Sequence, residues 1–246
     1  MSSTDATWII DAFREISGDN PIIFLDYDGT LTPIMPRPEL AAPDDKLKGL
    51  LKEFAEKFDT VIVTGRTLES IMGFLGDSYS YVAMHGALFF GNGKLTDLSG
   101  KLDGYLSITE RITSGSAELE ARFPGLKVYD KRGGVLFHYG AMEKNIFPEL
   151  SSEVEKIALE VSMETYYGKN VIELRIPGVN KGSAIFRLRN GRPALIAGDD
   201  ITDEEAFRAN PDAITVHIGT SKTAARYSLA DYAGMRKLMR LMIDLV

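Results

Sequence analysis

The stretch that most constrains the fold is residues 21–32, Pro-Ile-Ile-Phe-Leu-Asp-Tyr-Asp-Gly-Thr-Leu-Thr. Residues 22–25 form an unbroken apolar run, which is typical of a parallel strand buried on both faces. The run ends at Asp26 and Asp28, and Gly29 then frees the backbone to turn sharply. Because ligands of open α/β sheets bind at the carboxyl ends of the strands, the acidic pair predicts a binding site there. A polar exit from the strand is the alternative interpretation.

Composition excludes several classes of function. The 246 residues suffice for one large domain or two smaller ones with real cores. A net charge of −7 without a basic block argues against nucleic-acid and anionic-membrane partners. The absence of cysteine excludes disulfides, thiol catalysis and cysteine metal sites. The three histidines, His85, His138 and His217, show no metal-ligand spacing.

Further apolar runs predict the rest of a parallel sheet. They lie at 60–64, 81–84, 194–197 and 213–218, and stretches at helical spacing separate them. Asn92-Gly93, the strongest short hairpin signal, predicts an antiparallel hairpin after the third strand. We therefore expect an α/β fold with a Rossmann-like parallel-sheet core.

The pattern changes between residues 103 and 176, where it reads α-β-β-α-β-β and includes one continuous helix through Gly115. This order predicts an antiparallel sheet with helices on one face. In the last strand, Ile172, Leu174 and Ile176 share one face, while Glu173 and Arg175 share the other, which we expect to be polar. We interpret 103–176 as an inserted cap domain, and 1–102 with 177–246 as the core domain.

Acidic residues collect at two strand ends that this topology places side by side: Asp26, Asp28, Asp199, Asp200 and Asp203. Like charges in one crevice oppose folding unless a cation lies among them. Oxygen ligands without histidine or cysteine favour a hard ion, and Mg²⁺ is the usual choice beside phosphate. For Asp203 an alternative remains, because Thr202 and Glu205 fit a capping box and Asp203 could simply complement the helix N-terminus.

Lys181 begins a predicted helix, where a cation opposes the helix dipole. A mobile surface lysine is one interpretation, and a lysine that binds phosphate together with helix-terminal N–H groups is the other. Thr64 adds a hydroxyl at the end of its strand, although it could equally bond to backbone.

Four ordered motifs resemble those of the haloacid dehalogenase (HAD) superfamily. They are Asp26-Tyr27-Asp28-Gly29-Thr30, Thr64-Gly65-Arg66, Lys181-Gly182 and Gly198-Asp199-Asp200-Ile201-Thr202-Asp203-Glu204. The late insertion is similar to the large C2-type cap that follows the third core strand in part of this superfamily.

Within the superfamily the chain resembles the trehalose-6-phosphate phosphatases. The resemblance rests on residues 198–204, His85-Gly86, Asp130-Lys131 with His138-Tyr139, and the run 171–175. Three positions depart from that family's usual residues: Tyr129 and Met84 stand where glutamate is common, and Gly140 where arginine is frequent.

The resemblance implies a Mg²⁺-dependent phosphatase of a sugar phosphate, with an aspartyl-phosphate intermediate. Asp26 would be the nucleophile and Asp28 the general acid and base. Mg²⁺ would bind Asp26, the Asp28 carbonyl and Asp199, and Asp203 would contact these ligands and not the ion itself. The implied phosphate-binding residues are Thr64, Gly65 and Lys181, and the implied substrate-binding residues are Arg66, His85, Lys131, His138, Glu173 and Arg175.

Three alternatives stay open at this point. They are a phosphatase of sucrose phosphate, mannosylphosphoglycerate or phosphoglycolate, a sugar phosphomutase, and a non-catalytic sugar-phosphate-binding domain. The expected partner is a small-molecule sugar phosphate, without nucleic acid or membrane, and the expected state is a cytoplasmic monomer. Charged residues interrupt any signal-peptide core near the N-terminus, and no apolar run approaches membrane-spanning length.

Overall fold

The structure, a computed structural model, describes residues 6–140, 142–168 and 170–245. The chain divides into two compact units. The first contains the described residues up to Leu98 and those from Asn180 onward, and the second is Ser99–Val179. The sequence-based boundaries at 102/103 and 176/177 lie three or four residues from these.

The first unit is built on one eight-stranded sheet. Its strands are β1 (Ile22–Asp26), β2 (Asp59–Val63), β3 (Ser80–Ala83), β4 (Leu88–Gly91), β5 (Lys94–Asp97), β10 (Ala194–Gly198), β11 (Ile214–Ile218) and β12 (Tyr227–Leu229). The spatial order is β12-β11-β10-β1-β2-β3-β4-β5, and only the pairs that involve β4 and β5 are antiparallel. The predicted α/β class with a parallel-sheet core is confirmed.

Helices cover both faces of this sheet: α1 (Ala6–Ile16), α2 (Asp45–Lys57), α3 (Leu68–Leu75), α7 (Lys181–Arg189), α8 (Ile201–Ala209) and α9 (Tyr232–Ile243). One apolar core packs the inner residues of α1, α2, α3 and α9 against the sheet, and a second packs those of α7 and α8. β1, in the middle, contributes alternate residues to each core, Ile23 and Leu25 to one and Ile22 and Phe24 to the other. Its continuous apolar run therefore reflects burial on both faces.

Short local signals in the sequence are realised in this unit. Asp44 caps α2 by accepting a hydrogen bond from the Leu47 N–H at 2.7 Å, as predicted. Asn92 and Gly93 both have positive φ, of 52° and 69°, as a two-residue hairpin turn requires. Strand β12 is not predicted from the sequence, because its three residues carry too little periodicity to be recognised.

The register of the sheet places the site. β1 pairs in parallel with β10 on one side and with β2 on the other, with Leu25 opposite Ala197 and Asp26 opposite Val63. The residues that follow these strands therefore emerge at one edge of the sheet.

The second unit is an antiparallel sheet of the order β6-β7-β9-β8 with helices on one face. Its elements are α4 (Leu102–Ser114), α5 (Ala117–Arg122), β6 (Lys127–Asp130), β7 (Val135–His138), α6 (Phe147–Glu160), β8 (Glu164–Gly168) and β9 (Val171–Arg175). The prediction of one continuous helix through Gly115 was wrong. Gly115 follows α4 as its C-cap, since its N–H bonds the Arg111 and Thr113 carbonyls, and α5 begins after Ser116.

The predicted alternation along β9 holds for its apolar face, because Ile172, Leu174 and Ile176 are buried. The opposite face differs from a solvated surface, since Glu173 is buried as well.

None of the helices in the described part of the chain combines the length and apolar character that crossing a membrane requires.

Candidate active site

The site forms where β1 and β10 end side by side. Asp26 is the last residue of β1, and Asp199 directly follows β10. Gly29 makes their approach possible: its φ is +89°, and a Cβ there would lie 2.1 Å from Asp199 Oδ2. The Thr30 hydroxyl donates to Asp199 Oδ1 at 3.4 Å. Two segments 169 residues apart in sequence thus share one crevice.

Lys181 lies between two carboxylates in this crevice. Its Nζ donates to Asp26 Oδ1 at 2.6 Å and to Asp203 Oδ1 at 2.8 Å. The lysine is only 2% exposed, which excludes the mobile surface lysine of the sequence analysis. It opens α7, whose N-terminus is capped by Asn180 in a capping box with Ser183. Lys181 therefore reaches into the site from a fixed helix end.

Asp200 and Asp203 form the N-terminal cap of α8. The Asp200 side chain accepts hydrogen bonds from the N–H groups of Thr202 and Asp203, at 2.8 and 3.2 Å. Asp203 Oδ2 accepts from the Asp199 and Asp200 N–H groups, both at 3.2 Å. The alternative capping box of Thr202 and Glu205 does not form, because the helix begins two residues earlier and Asp200 is the residue in extended conformation before it.

The carboxylates of Asp26, Asp199 and Asp203 carry more negative charge than Lys181 can neutralise. Burial raises the pKa of Asp26 to about 8 and that of Asp199 to about 7, with neighbouring carboxylates adding to both shifts. Burial also holds the pKa of Asp203 well above its usual range, although Lys181 opposes the shift. Burial would lower the pKa of Lys181, but Asp203 and Asp26 outweigh it and raise that pKa. The site is therefore short of positive charge.

A metal ion fits this deficit. Oxygen atoms of Asp26, Asp199 and Asp203 lie within 4.8 Å of one another. Asp26 Oδ2 is buried and has no hydrogen-bond partner among the described residues. An all-oxygen set with one unpaired buried oxygen suits a hard divalent cation. Asp28 stands outside this carboxylate triad.

The Asp28 carboxylate is instead held by Arg66. Arg66 donates from Nε to Oδ2 at 2.7 Å and from Nη2 to Oδ1 at 2.6 Å, a bidentate pair. The guanidinium lies 4.8 Å from the Phe74 ring centroid and 5.7 Å from that of Tyr27. The structure thus joins Arg66, which the resemblance assigned to substrate, to the expected general acid and base.

The ends of β2 and β3 complete this edge of the sheet. Thr64 is buried, and its Oγ accepts the Arg66 N–H at 3.1 Å. Gly65 lets the His85 ring approach, since a Cβ there would lie 2.2 Å from His85 Cε1. Met84 and His85 both have positive φ, of 53° and 54°. Such strained backbone is typical of functional loops.

The remaining predicted site residues lie in the second unit. Lys131, Glu173 and Arg175 form one ion cluster, in which Glu173 accepts from Lys131 Nζ at 2.6 Å and from Arg175 Nη2 at 2.6 Å. His138 is exposed at the end of β7, opposite Val171.

Two buried residues at this edge, Thr30 and Glu204, have no role predicted from the sequence. Glu204 accepts from the Thr223 hydroxyl at 2.5 Å and from the Ala224 N–H at 2.8 Å, so it anchors the loop after β11. Because Glu204 directly follows Asp203 in the motif 198–204, the sequence did contain a reason to expect a structural role for it.

Comparison with known proteins decides the family. Residues 24–233 match the trehalose-phosphatase family. The chain belongs to it. The trehalose-6-phosphate phosphatase-related protein of Thermoplasma acidophilum is 47% identical over 219 residues, which cover 89% of this chain and 95% of that protein. The bifunctional trehalose-6-phosphate synthase/phosphatase of Thermoproteus tenax is 32% identical over 229 residues, but this chain spans only 31% of its length.

Solved structures agree with the fold. The crystal structure of a trehalose-6-phosphate phosphatase related protein has a TM-score of 0.86 at 46% identity, and the match covers 91% of this chain and 97% of that one. A haloacid dehalogenase-like hydrolase from B. subtilis has a TM-score of 0.59 at 15% identity over 89% and 98% of the two chains, which shows the fold alone. The predicted resemblance to the trehalose-6-phosphate phosphatases is confirmed, and the fold is that of HAD-like hydrolases. The chain is a phosphoric monoester hydrolase of this family, and Asp26, Asp199 and Asp203 form an acidic triad that could hold a metal ion.

Proposed function

We propose that this trehalose-phosphatase family member hydrolyses trehalose 6-phosphate to trehalose and phosphate, with Mg²⁺ as the cofactor. The observation that carries the proposal is the buried Lys181 between Asp26 and Asp203, beside an Asp26 oxygen that has no hydrogen-bond partner in the described part of the chain. Such a crevice can accept both a phosphoryl group and a divalent cation. The substrate follows from the relatives' names, in particular the protein of Thermoplasma acidophilum.

Asp26 is the proposed nucleophile. One carboxylate oxygen attacks phosphorus in line, the bond from phosphorus to the sugar oxygen breaks, and an aspartyl-phosphate forms. Water then attacks the same phosphorus and releases phosphate, which restores the Asp26 carboxylate. Lys181 donates a hydrogen bond to Asp26 Oδ1, whereas Asp26 Oδ2 has no hydrogen-bond partner among the described residues.

Asp28 is the proposed general acid and base. It gives a proton to the leaving sugar oxygen and later takes one from the attacking water, which typically contributes about 10²–10⁴-fold. The bidentate contact with Arg66 holds both oxygens of Asp28 and so fixes the orientation of the carboxylate.

The transferring phosphoryl group requires donors. Thr64, the Gly65 backbone and Lys181 are the proposed phosphate-binding groups, and their charge and N–H dipoles stabilise the developing negative charge. Asp26, the Asp28 carbonyl, Asp199 and Asp203 would hold the Mg²⁺. That ion supplies neutralisation of the carboxylates and of the phosphoryl oxygens when it is bound.

Sugar recognition is assigned to the second unit, which we infer to be a cap inserted into the core domain. Lys131 and Glu173 are the proposed contacts to sugar hydroxyls, because they present a paired donor and acceptor. His138, exposed on the same sheet, and His85 of the core are further candidates.

A phosphate-release panel with and without Mg²⁺ tests the proposal. We expect Mg²⁺-dependent release from trehalose 6-phosphate at a higher kcat/KM than from sucrose phosphate, mannosylphosphoglycerate, phosphoglycolate or an aryl phosphate. Preference for another member of the panel would overturn the substrate. Movement of labelled phosphate within the sugar would indicate a phosphomutase, and binding without turnover of any member would indicate a non-catalytic domain.

A further inference from the structure

The charged cluster of the second unit holds a buried carboxylate between two cations. Glu173 lies in β9 and is 6% exposed. Lys131 Nζ donates to its Oε1 at 2.6 Å, while Arg175 donates to Oε2 from Nε at 2.9 Å and from Nη2 at 2.6 Å. A buried carboxylate requires such partners, because an uncompensated buried charge is costly.

The two cations are held differently. The Arg175 guanidinium lies 4.1 Å from the ring centroid of Tyr166, the residue opposite Glu173 on β8. Its side chain is 11% exposed, against 20% for that of Lys131. A stacked planar guanidinium offers a rigid fork, whereas a lysine is a point charge on a flexible stem. Arg175 is therefore the fixed partner and Lys131 the adaptable one.

The two cations bind different oxygens of Glu173. Arg175 uses two N–H groups on Oε2, while Lys131 uses one of its three donors on Oε1. Lys131 is the more exposed of the two cations, and its other donors have no hydrogen-bond partner among the residues that the structure describes, which suits a direct contact with a hydroxyl.

We propose that Arg175 is a positioning residue for sugar recognition, which acts on the substrate through Glu173. It fixes Oε2, so that Oε1 and Lys131 present a donor and an acceptor in constant geometry to the sugar hydroxyls. This inference rests on the proposed function. Its rival is a direct contact from Arg175 Nη1, which is buried and has no hydrogen-bond partner among the described residues.

A double-mutant cycle separates the two roles. The variants are Arg175→Ala, Glu173→Ala and the double variant, and kcat/KM is measured on trehalose 6-phosphate. We expect Arg175→Ala alone to lose about 10–100-fold, the equivalent of one charge-assisted interaction. In the Glu173→Ala background the same change should cost less than about 2-fold, because the group it positions is gone. Losses that multiply would overturn the inference and assign Arg175 to the sugar.

Two further variants and a second substrate complete the test. Arg175→Lys keeps the charge without the fork, so its loss should fall between those of wild type and Arg175→Ala. Arg122→Ala is the matched control, since Arg122 also pairs with a glutamate, Glu149, and stacks on Phe123 in the same unit, but on an exposed surface. It should match wild type. A loss for Arg175→Ala as large on an aryl phosphate as on trehalose 6-phosphate would indicate a structural role and overturn the inference.

The activity of the wild-type enzyme tests the proposed function separately from the role of Arg175. A wild-type enzyme inert toward trehalose 6-phosphate overturns that function, and the positioning role falls with it. An active wild type with multiplicative losses overturns the positioning role alone.

Discussion

At the scale of single residues, the site is a group of carboxylates that one lysine compensates only in part. The sequence predicted the meeting of Asp26 and Asp199, because each follows an apolar run and the ends of parallel strands share an edge. It left the environment of Lys181 open. Its burial depends on α7 and α8 packing together, and no local pattern around residue 181 reports that.

Lys181→Met tests this compensation. The change leaves Asp26 and Asp203 without their shared cation, so we expect kcat to fall by at least about 10²–10³-fold. The metal-free protein should lose about 3–5 kcal/mol of unfolding free energy, the usual cost of breaking a buried pair. Both are read from steady-state kinetics and denaturant unfolding.

Lys57→Met is the matched control, because within residues 6–140, 142–168 and 170–245 Lys57 donates only to the Ile243 carbonyl, at 3.0 Å. It should keep wild-type kcat. A Lys181→Met enzyme with wild-type turnover would contradict the assignment of Lys181 to the phosphoryl group.

The raised pKa values predict how stability depends on pH without metal. The pKa of Asp26 is about 8 and that of Asp199 about 7 in the folded chain, above the ordinary 3.8. The folded state therefore binds these protons more tightly than the unfolded state, and stability falls as pH rises from about 4 to 8. The Tm gain on adding Mg²⁺ should accordingly be larger at pH 8 than at pH 5.

Asp199→Asn provides the comparison for that experiment, since it removes one of the three carboxyl groups whose pKa is raised, Asp26, Asp199 and Asp203. In EDTA its Tm should fall less than that of wild type between pH 5 and pH 8. Equal slopes for the two proteins would contradict the account of the charge deficit.

At the scale of elements, helix ends set the geometry of the acidic groups. The sequence motif 198–204 offers two overlapping caps, and composition alone does not choose between Asp200 and Thr202. The choice is tertiary: Asp203 accepts N–H groups from the end of β10 while it contacts Lys181, and this requires the helix to begin at Ile201. Asp200 and Asp203 thus cap α8 and also belong to the charged site.

Asp200→Ala should lower both stability and activity. The loss of the cap costs about 0.5–2 kcal/mol, and the first turn that positions Asp203 loosens, so the apparent affinity for Mg²⁺ should fall. The matched control is Asp231→Ala, which removes the N-cap of α9, where Asp231 accepts the Gly234 N–H at 2.9 Å. It should lose similar stability and keep its Mg²⁺ dependence. If the two variants respond to Mg²⁺ alike, the cap of α8 has no part in the site.

At the scale of the whole molecule, the sequence pattern changes at residue 103, and the chain divides into two compact units, one of which is Ser99–Val179. The alternation along β9 also predicted which residues are apolar and buried. It could not predict that Glu173 is buried as well, because period-2 alternation distinguishes the two faces of a strand but says nothing about what covers them. The hydrogen-bond partners of Glu173 are Lys131, which follows β6, and Arg175, which lies on β9 itself.

Glu173→Ala tests the role of this unit in substrate choice. Removing a hydrogen-bonded contact to sugar should lower kcat/KM on trehalose 6-phosphate by about 10–100-fold. Hydrolysis of an aryl phosphate, which lacks the sugar, should change far less. Steady-state kinetics on the two substrates decides the matter, and equal losses on both would exclude a part for Glu173 in sugar recognition.

The most direct measurement is phosphate release from trehalose 6-phosphate by wild type and by Asp26→Asn, each with Mg²⁺ and with EDTA. The account predicts turnover only for wild type with Mg²⁺, while circular dichroism shows both proteins folded. Turnover by folded Asp26→Asn at the wild-type rate, or the same wild-type rate in EDTA, would contradict it.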